Sequence, residues 1–371
     1  MSVLFDAMGH ACDAGRHAEA LEAVYRRRVL QGFTYFSTDR LGAYGAGLGA
    51  LAGFFDVRWT EPVAGLPGPD RACVLHEAAV HLLGVGRPRD ALAPFRRAAE
   101  LYAAEGMFDY ASPSARYLGE IHLMLGEIPD ALGWAETSIE FADRAGDRFE
   151  QMADRFGRGD VLHQAGRLEE AEAAFIEAER VTDAEGKPIP NLFFFWELPH
   201  CELLVTMRRP AEAEARARHA LALEAQTKGS LLATAQIHLA LASALVARLE
   251  LDGDADAASA ARHVDEALDR LRQATHQVHL PRGLLGRATL RRRQGDLAGA
   301  QADLAEALRI AGRSDMALAQ ADGQLVLAEL CRARGDRHGA REAVRTARSM
   351  IDRMGYRRRD PEVARLEAVL G

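Results

Sequence analysis

Apolar and small side chains along this chain fall on a helical period, and they do so in one repeated phrase. In the stretch that begins at Gly166, Ala171, Phe175 and Ala178 share one helix face, while Arg167, Glu169, Glu170, Glu172 and Glu177 fill the rest. Steps of four and three residues put the first set toward a core and the second toward water. The glycine ahead of the run marks a turn. An alanine five residues after the turn recurs as Ala20 after Gly15, Ala91 after Gly86 and Ala131 after Gly126, then as Ala300 after Gly295 and Ala340 after Gly335. Ala213 after Arg208 and Ala260 after Ala255 keep the register without the glycine. A larger residue at plus nine (Phe95, Phe175, Leu304, Val344) and a small one about seven before the turn (Gly119, Gly159, Ala288, Ala328) complete the pattern. Small residues let two helices approach, and the larger one fills the gap to the next pair. Phrases spaced by about 40 residues are what an array of helical hairpins produces.

Helix, turn, helix with alanine at plus five and plus twelve resembles the tetratricopeptide repeat. The resemblance implies an all-α fold, a right-handed superhelical solenoid of about eight or nine helical hairpins. Residues 1–69 read as irregular N-terminal repeats with a Pro/Gly loop, 70–354 as the regular array, and 355–371 as a C-terminal capping helix over the last hairpin. Within the first part, a helix from about Thr38 to Phe55 carries Gly42, Gly45, Gly47, Gly49 and Gly53. Each glycine weakens a helix interior by roughly 1 kcal/mol, so close helix–helix contact is expected in compensation. Pro62, Pro67 and Pro69 with Gly65 and Gly68 predict a loop from Val57 to Pro69.

Charge and cysteine usage narrow the function. A net charge of -8 argues against a nucleic-acid-binding protein. Four cysteines without a CxxC pair read as reduced thiols, which fits the cytoplasm. No signal-peptide start and no apolar run of about 18 residues are seen, so neither secretion nor membrane spanning is expected. The chain has no GxxxxGK[ST] phosphate loop and no GxSxG elbow. His76 and His81 are five apart and so point about 140° apart on a helix. His276 and His279 sit beside Pro281 and are expected to be solvated. No catalytic, cofactor or metal site is expected, and the chain reads as non-enzymatic.

In tetratricopeptide arrays the first helix of each hairpin lines the concave wall. The resemblance therefore nominates Arg116 and Glu120, then Asp160, His163 and Gln164, then Glu202. Further along it nominates Arg282, Arg292 and Arg293, followed by Asp322, Glu329 and Arg332. The implied surface is a groove with an acidic-leaning middle and a basic stretch near 282–293, suited to a protein or peptide segment. The plainer reading is a solvated wall whose charges only keep the protein soluble. The run Phe193-Phe194-Phe195-Trp196 cannot send every ring into one core, and register turns Phe195 and Leu198 to the wall. They form either an apolar anchor in the groove or packing between hairpins, with Pro199 kinking the helix. The triplets Arg26–Arg28, Arg291–Arg293 and Arg357–Arg359 read as solvated helix faces or ends.

Several phrases resemble the C-terminal repeat region of bacterial STAND (NACHT-like) signalling ATPases. They are Leu41–Ala46 running into Leu51–Phe55, Ser138–Asp147 and Leu162–Glu172. In that family the repeats act as a sensor, docking a ligand or protein and releasing a nucleotide switch. This sequence carries no nucleotide-binding or effector domain, so the resemblance implies an excised sensor region or a free-standing relative. The leading expectation is a protein- or peptide-binding module. The alternatives are a scaffold for oligomeric assembly and an accessory protein that cradles a small ligand near Trp196.

Overall fold

Left-handed turns punctuate the chain at twenty-residue steps. Gly86, Gly106, Gly126, Gly146 and Gly166 all take positive φ, and so do Gly295, Asp315, Gly335 and Gly355. Such a residue ends one helix and redirects the chain into the next. The structural beat is therefore half the sequence phrase, because turns between hairpins use the same device as turns within them. Arg208 takes a φ of 61° at the position where the sequence replaces the glycine. Ala255, another expected turn, lies outside the described residues.

The computed structural model describes residues 1–32, 36–181, 193–227, 230–251 and 256–371, with backbone alone at 39, 193–195 and 227. The N-terminal part holds α1 (Ser2–Asp13), then α2 (His17–Glu19) running into a π-helical stretch Ala20–Val29, a second π-helical stretch Phe36–Arg40, and α3 (Tyr44–Leu51). From there come α4 (Gly68–Gly84), α5 (Pro88–Ala104), α6 (Phe108–Met124), α7 (Ile128–Ala145), α8 (Arg148–Gln164) and α9 (Leu168–Glu179). The array continues with α10 (Phe193–Thr206), α11 (Pro210–Thr227), α12 (Leu231–Leu251), α13 (Ala257–Gln273), α14 (Leu280–Arg293) and α15 (Leu297–Arg313). It ends with α16 (Ala317–Ala333), α17 (Arg337–Met354) and α18 (Asp360–Leu370). Helices α4 to α17 pair in order as seven hairpins, and each helix packs on the next. The sequence marks several starts. Asp147, Asp296 and Asp336 cap their helices by accepting backbone N–H bonds.

Two local expectations change. The helix foreseen from Thr38 to Phe55 is broken at 41–43, and the loop foreseen from Val57 to Pro69 contains a small antiparallel pair, β1 (Phe55–Val57) and β2 (Glu61–Pro62). Tertiary contact explains the break. Gly42 sits at φ +58° with its carbonyl accepting the Thr275 hydroxyl, and a Cβ there would lie 2.6 Å from the Ala274 carbonyl oxygen. The glycine spacing has a partial rationale: Gly47 lies against the His81 ring and Gly53 against Cys12, while Gly45 and Gly49 meet nothing.

The superhelix comes round on itself. Leu48, Leu82 and Phe95 share a core with Val278, Ala311 and Met316. Leu123, Ile128 and Val161 share another with Ala328, Val344 and Met354, and α18 adds Val363, Leu366 and Leu370. The chain also departs from the expectation of no long apolar run. Helix α12 is long and apolar enough to cross a membrane, yet 67% of that window is buried inside the protein. It packs between α10, α11 and α13. The four cysteines are free.

The Gly42 contact gives a direct test of closure. Gly42→Ala should cost about 1–3 kcal/mol, from positive φ and the clash with Ala274 together. Urea unfolding of the variant measures it, and an unchanged midpoint would remove this contact from the account.

Candidate binding cavity

The first helices of the hairpins, α4, α6, α8, α10, α12, α14 and α16, surround a cavity of about 1810 Å³. The C-terminal residues Tyr356, Arg358, Arg359, Glu362 and Arg365 complete its wall. The groove expected from the sequence is thus bounded by the chain's own end.

Near α6 and α8 the wall is acidic. The Arg116 guanidinium donates to Glu150 at 2.8 Å and to Asp154 at 2.9 Å, and Ser112 donates to Asp154 at 2.6 Å. Burial pushes the Asp154 carboxyl up to about 7 against the pull of Arg116. Burial likewise raises Glu120 to about 7, opposed by Arg116 and reinforced by Asp160. Asp160 is itself raised by burial, and it accepts the Gln164 amide at 2.6 Å. On α4, Tyr25 donates to Glu77 at 2.8 Å, and burial holds that carboxyl near 7.

The middle of the wall is cross-linked by arginines. Glu202 accepts Arg282 at 2.8 Å and pairs with Arg358 at 2.8 Å. Burial alone raises the Glu202 carboxyl, but the two guanidiniums reverse that and hold it far below the usual carboxylate range. Arg358 also donates to Gln164 at 3.0 Å. Asp322 accepts Arg359 at 2.8 Å and Tyr356 at 3.1 Å. At the ends of α14 and α16, Glu329 accepts Arg332 at 2.9 Å and Arg365 at 2.6 Å. Arg293 pairs with Glu250.

Aromatic surface lies beside the acidic part. The Trp196 ring stacks on Phe156 at 6.1 Å, and the Arg116 guanidinium sits 6.0 Å from Trp196 and 5.8 Å from Tyr117. Leu198 lines the cavity and is 2% exposed. The side chain of Phe195 lies outside the described residues.

Of the residues nominated from the sequence, Arg116, Glu120, Asp160 and Gln164 line the cavity, as do Glu202 and Arg282. Arg292, Arg293, Asp322, Glu329 and Arg332 line it further along. His163 does not: it is fully buried, with its Nε2 2.9 Å from the Thr206 hydroxyl. Two expectations are corrected. Arg358 and Arg359 are not solvated, because the superhelix brings them onto Glu202 and Asp322. His276 is buried rather than solvated, stacked on His279 at 4.7 Å and edge-on to Tyr44 at 5.2 Å. Burial lowers the imidazole of His276 to about 4. The C-terminal wall residues escaped the sequence reading. Repeat register indexes positions within hairpins, and no local pattern pairs Arg358 with a residue 194 positions away.

Among the described residues, one group has donor atoms close enough to share an ion. His122, Glu127 and Asp130 offer ligand atoms within 4.8 Å of one another, though His122 Nδ1 already lies 2.6 Å from Glu127.

No family model and no curated protein matches the chain. Solved structures do. The Rap conjugation gene regulator of plasmid pLS20, in complex with the Phr* peptide, aligns with a TM-score of 0.58 at 15% identity, over 81% of this chain and 77% of that one. A Rap protein complexed with Competence and Sporulation Factor aligns with a TM-score of 0.52 at 12% identity, over 90% and 95%. These likenesses show the fold, a solenoid of packed helical hairpins.

The raised carboxyl of Glu120 has a consequence for stability. A carboxyl whose folded pKa lies above its unfolded value binds more protons in the folded state, so it destabilises increasingly as pH rises between the two. Glu120→Gln should therefore gain more melting temperature over the parent at pH 8 than at pH 5.5. An equal gain at both pH values would contradict the shift.

Proposed function

We propose that this chain is a non-enzymatic module that binds a short peptide inside its superhelix. The carrying observation is the cavity of about 1810 Å³ with its charged and aromatic wall. It exceeds the roughly 300–1,000 Å³ that suits a small molecule. Extended inner walls are how helical-repeat arrays recognise chains. The two similar structures carry a Phr* peptide in one case and Competence and Sporulation Factor in the other, which supports a ligand of this kind here. Wall residues supply the contacts: Trp196 as an apolar anchor, and Glu120, Asp160, Arg292 and Glu329 as charged ones.

Binding is favoured over catalysis by the chemistry at the wall. Cys73 lines the cavity, and burial pushes its thiol up to about 11, so it is not a thiolate at neutral pH. A cytoplasmic sensor is the role that fits best. It rests on the resemblance of Ser138–Asp147 and Leu162–Glu172 to the repeat region of STAND ATPases.

The protein purified from its source lysate and then acid-extracted should yield bound peptides by mass spectrometry. Arg292→Glu and Trp196→Ala, each checked for an unchanged circular dichroism spectrum, should lower that yield about tenfold, a loss equal to one buried polar or aromatic anchor. A parent protein that releases no more peptide than a heat-unfolded control would reject the reading.

A further inference from the structure

A short peptide enclosed in this cavity carries an ammonium and a carboxylate with it. Either charge is costly in a space screened from water unless the wall offers an opposite one. The wall is unequally charged at two places, and with opposite sign.

The first place is where α14, α16 and α18 meet. Among the described residues, four guanidiniums there share two carboxylates. Glu329 serves Arg332 at 2.9 Å, Arg365 at 2.6 Å and Arg292 at 3.8 Å, and Glu250 serves Arg293. Glu329 and Arg292 are shielded from solvent, while the Arg332 and Arg365 side chains, 42% and 53% exposed, form the wet side of the cluster. Burial lowers the pKa of Arg292, Glu329 and more weakly Glu362 oppose this, and Arg332 and Arg365 add to it. Arg293 is lowered in the same way, by burial and then by Arg365 against Glu329. Four guanidiniums on two carboxylates leave a positive surplus that one more anion can meet. A carboxylate suits it, because planar guanidiniums hold carboxylates through paired hydrogen bonds.

The second place is on α6 and α8. Arg116 is engaged by Glu150 and Asp154, and among the described residues neither Glu120 nor Asp160 makes an ion pair. Both carboxyls line the cavity; Asp160 adds to the rise at Glu120, and Glu202 adds to the rise at Asp160 against Arg282 and Arg358. Here the surplus is negative, and an ammonium is what it lacks.

We propose that the cavity grips a short linear peptide by both ends, its terminal carboxylate among Arg292, Arg293, Arg332 and Arg365 and its free amino group against Glu120 and Asp160. This rests on the peptide-binding reading above, and it adds direction and end-group specificity. A carboxylate at the first place gives the crowded guanidiniums a second shared partner. An ammonium at the second offsets the burial that disfavours the charge of both carboxylates.

Three pools of random synthetic hexapeptides test this: unmodified, C-terminally amidated and N-terminally acetylated. Each is offered to the full chain, and the retained peptide is counted by mass spectrometry. Both modifications should lower retention about tenfold, the size expected for one lost charge-assisted contact. Arg292→Gln should abolish discrimination at the carboxyl end alone and Glu120→Gln at the amino end alone. Arg292→Lys, which keeps the charge, should retain part of it. If both modified pools are held as well as the unmodified one, or only one end matters, this proposal falls while peptide binding stands. If no pool is held, both fall.

Discussion

The buried pairing of Glu202 with Arg282 and Arg358 is the constraint on which the shape of this molecule turns. It joins α10, the start of α14 and the link before α18. Side-chain exposures of 11% for Glu202 and 12% for Arg358 put the pair out of bulk water. Such a pair adds little net stability over an apolar substitute, because desolvation offsets most of the attraction. Its value is geometric: a carboxylate that has lost its water must be met by those two guanidiniums and not by others. The favourable energy of closure comes instead from the apolar seams on either side, where Leu123 and Ile128 meet Val344 and Met354, and Leu82 and Phe95 meet Val278 and Met316. The ion pairs select one closed curvature from the several that those seams would tolerate.

Closure turns a wall into a cavity. An array that stayed open would leave its inner charges in water, where each is screened and of little consequence. Brought round on itself, the same array holds Glu77, Glu120 and Asp154 in surroundings that keep each carboxyl near 7. Drawing the wall further inward would desolvate these groups and the arginines on Glu329. A polar interior can be kept open by the cost of closing it further.

Much of this was legible in the sequence, and the limit falls at a definite place. Alanine at plus five and the turn residue ahead of it specify two packed helices, and that relation is local. Ala171, Phe175 and Ala178 are buried as their register requires. The same register puts Arg116, Glu120, Asp160 and Glu202 on inner helices, since a position within a repeat is a position on a helix face. Curvature is different in kind. It is the sum of small rotations at every interface, and no single phrase encodes the sum. Arg358 meeting Gln164, Thr275 meeting Gly42 and Met354 packing against Gly126 are products of that sum. So is the burial of His276, whose nearby proline suggested a solvated helix end. His163 shows the finer error: one residue from Gln164, it lies on the same inner helix but faces the neighbouring Thr206.

The acids of the cavity are best understood by asking why the fold tolerates them. A carboxyl held near 7 in the folded state but ionised freely when unfolded works against folding at neutral pH. Glutamine at Glu120 would avoid that cost with nearly the same volume. Arginine is plentiful on the facing helices, and Arg116 shows that a guanidinium can reach this part of the wall, yet its ion pairs go to Glu150 and Asp154 and its pull on Glu120 does not overcome burial. Local rules broken without local compensation concentrate where a protein acts. The missing compensation has a sign, positive at α6 and α8 and negative around Glu329. A molecule that carries both signs a short distance apart settles both imbalances at once, and a peptide with free ends is the simplest molecule that does.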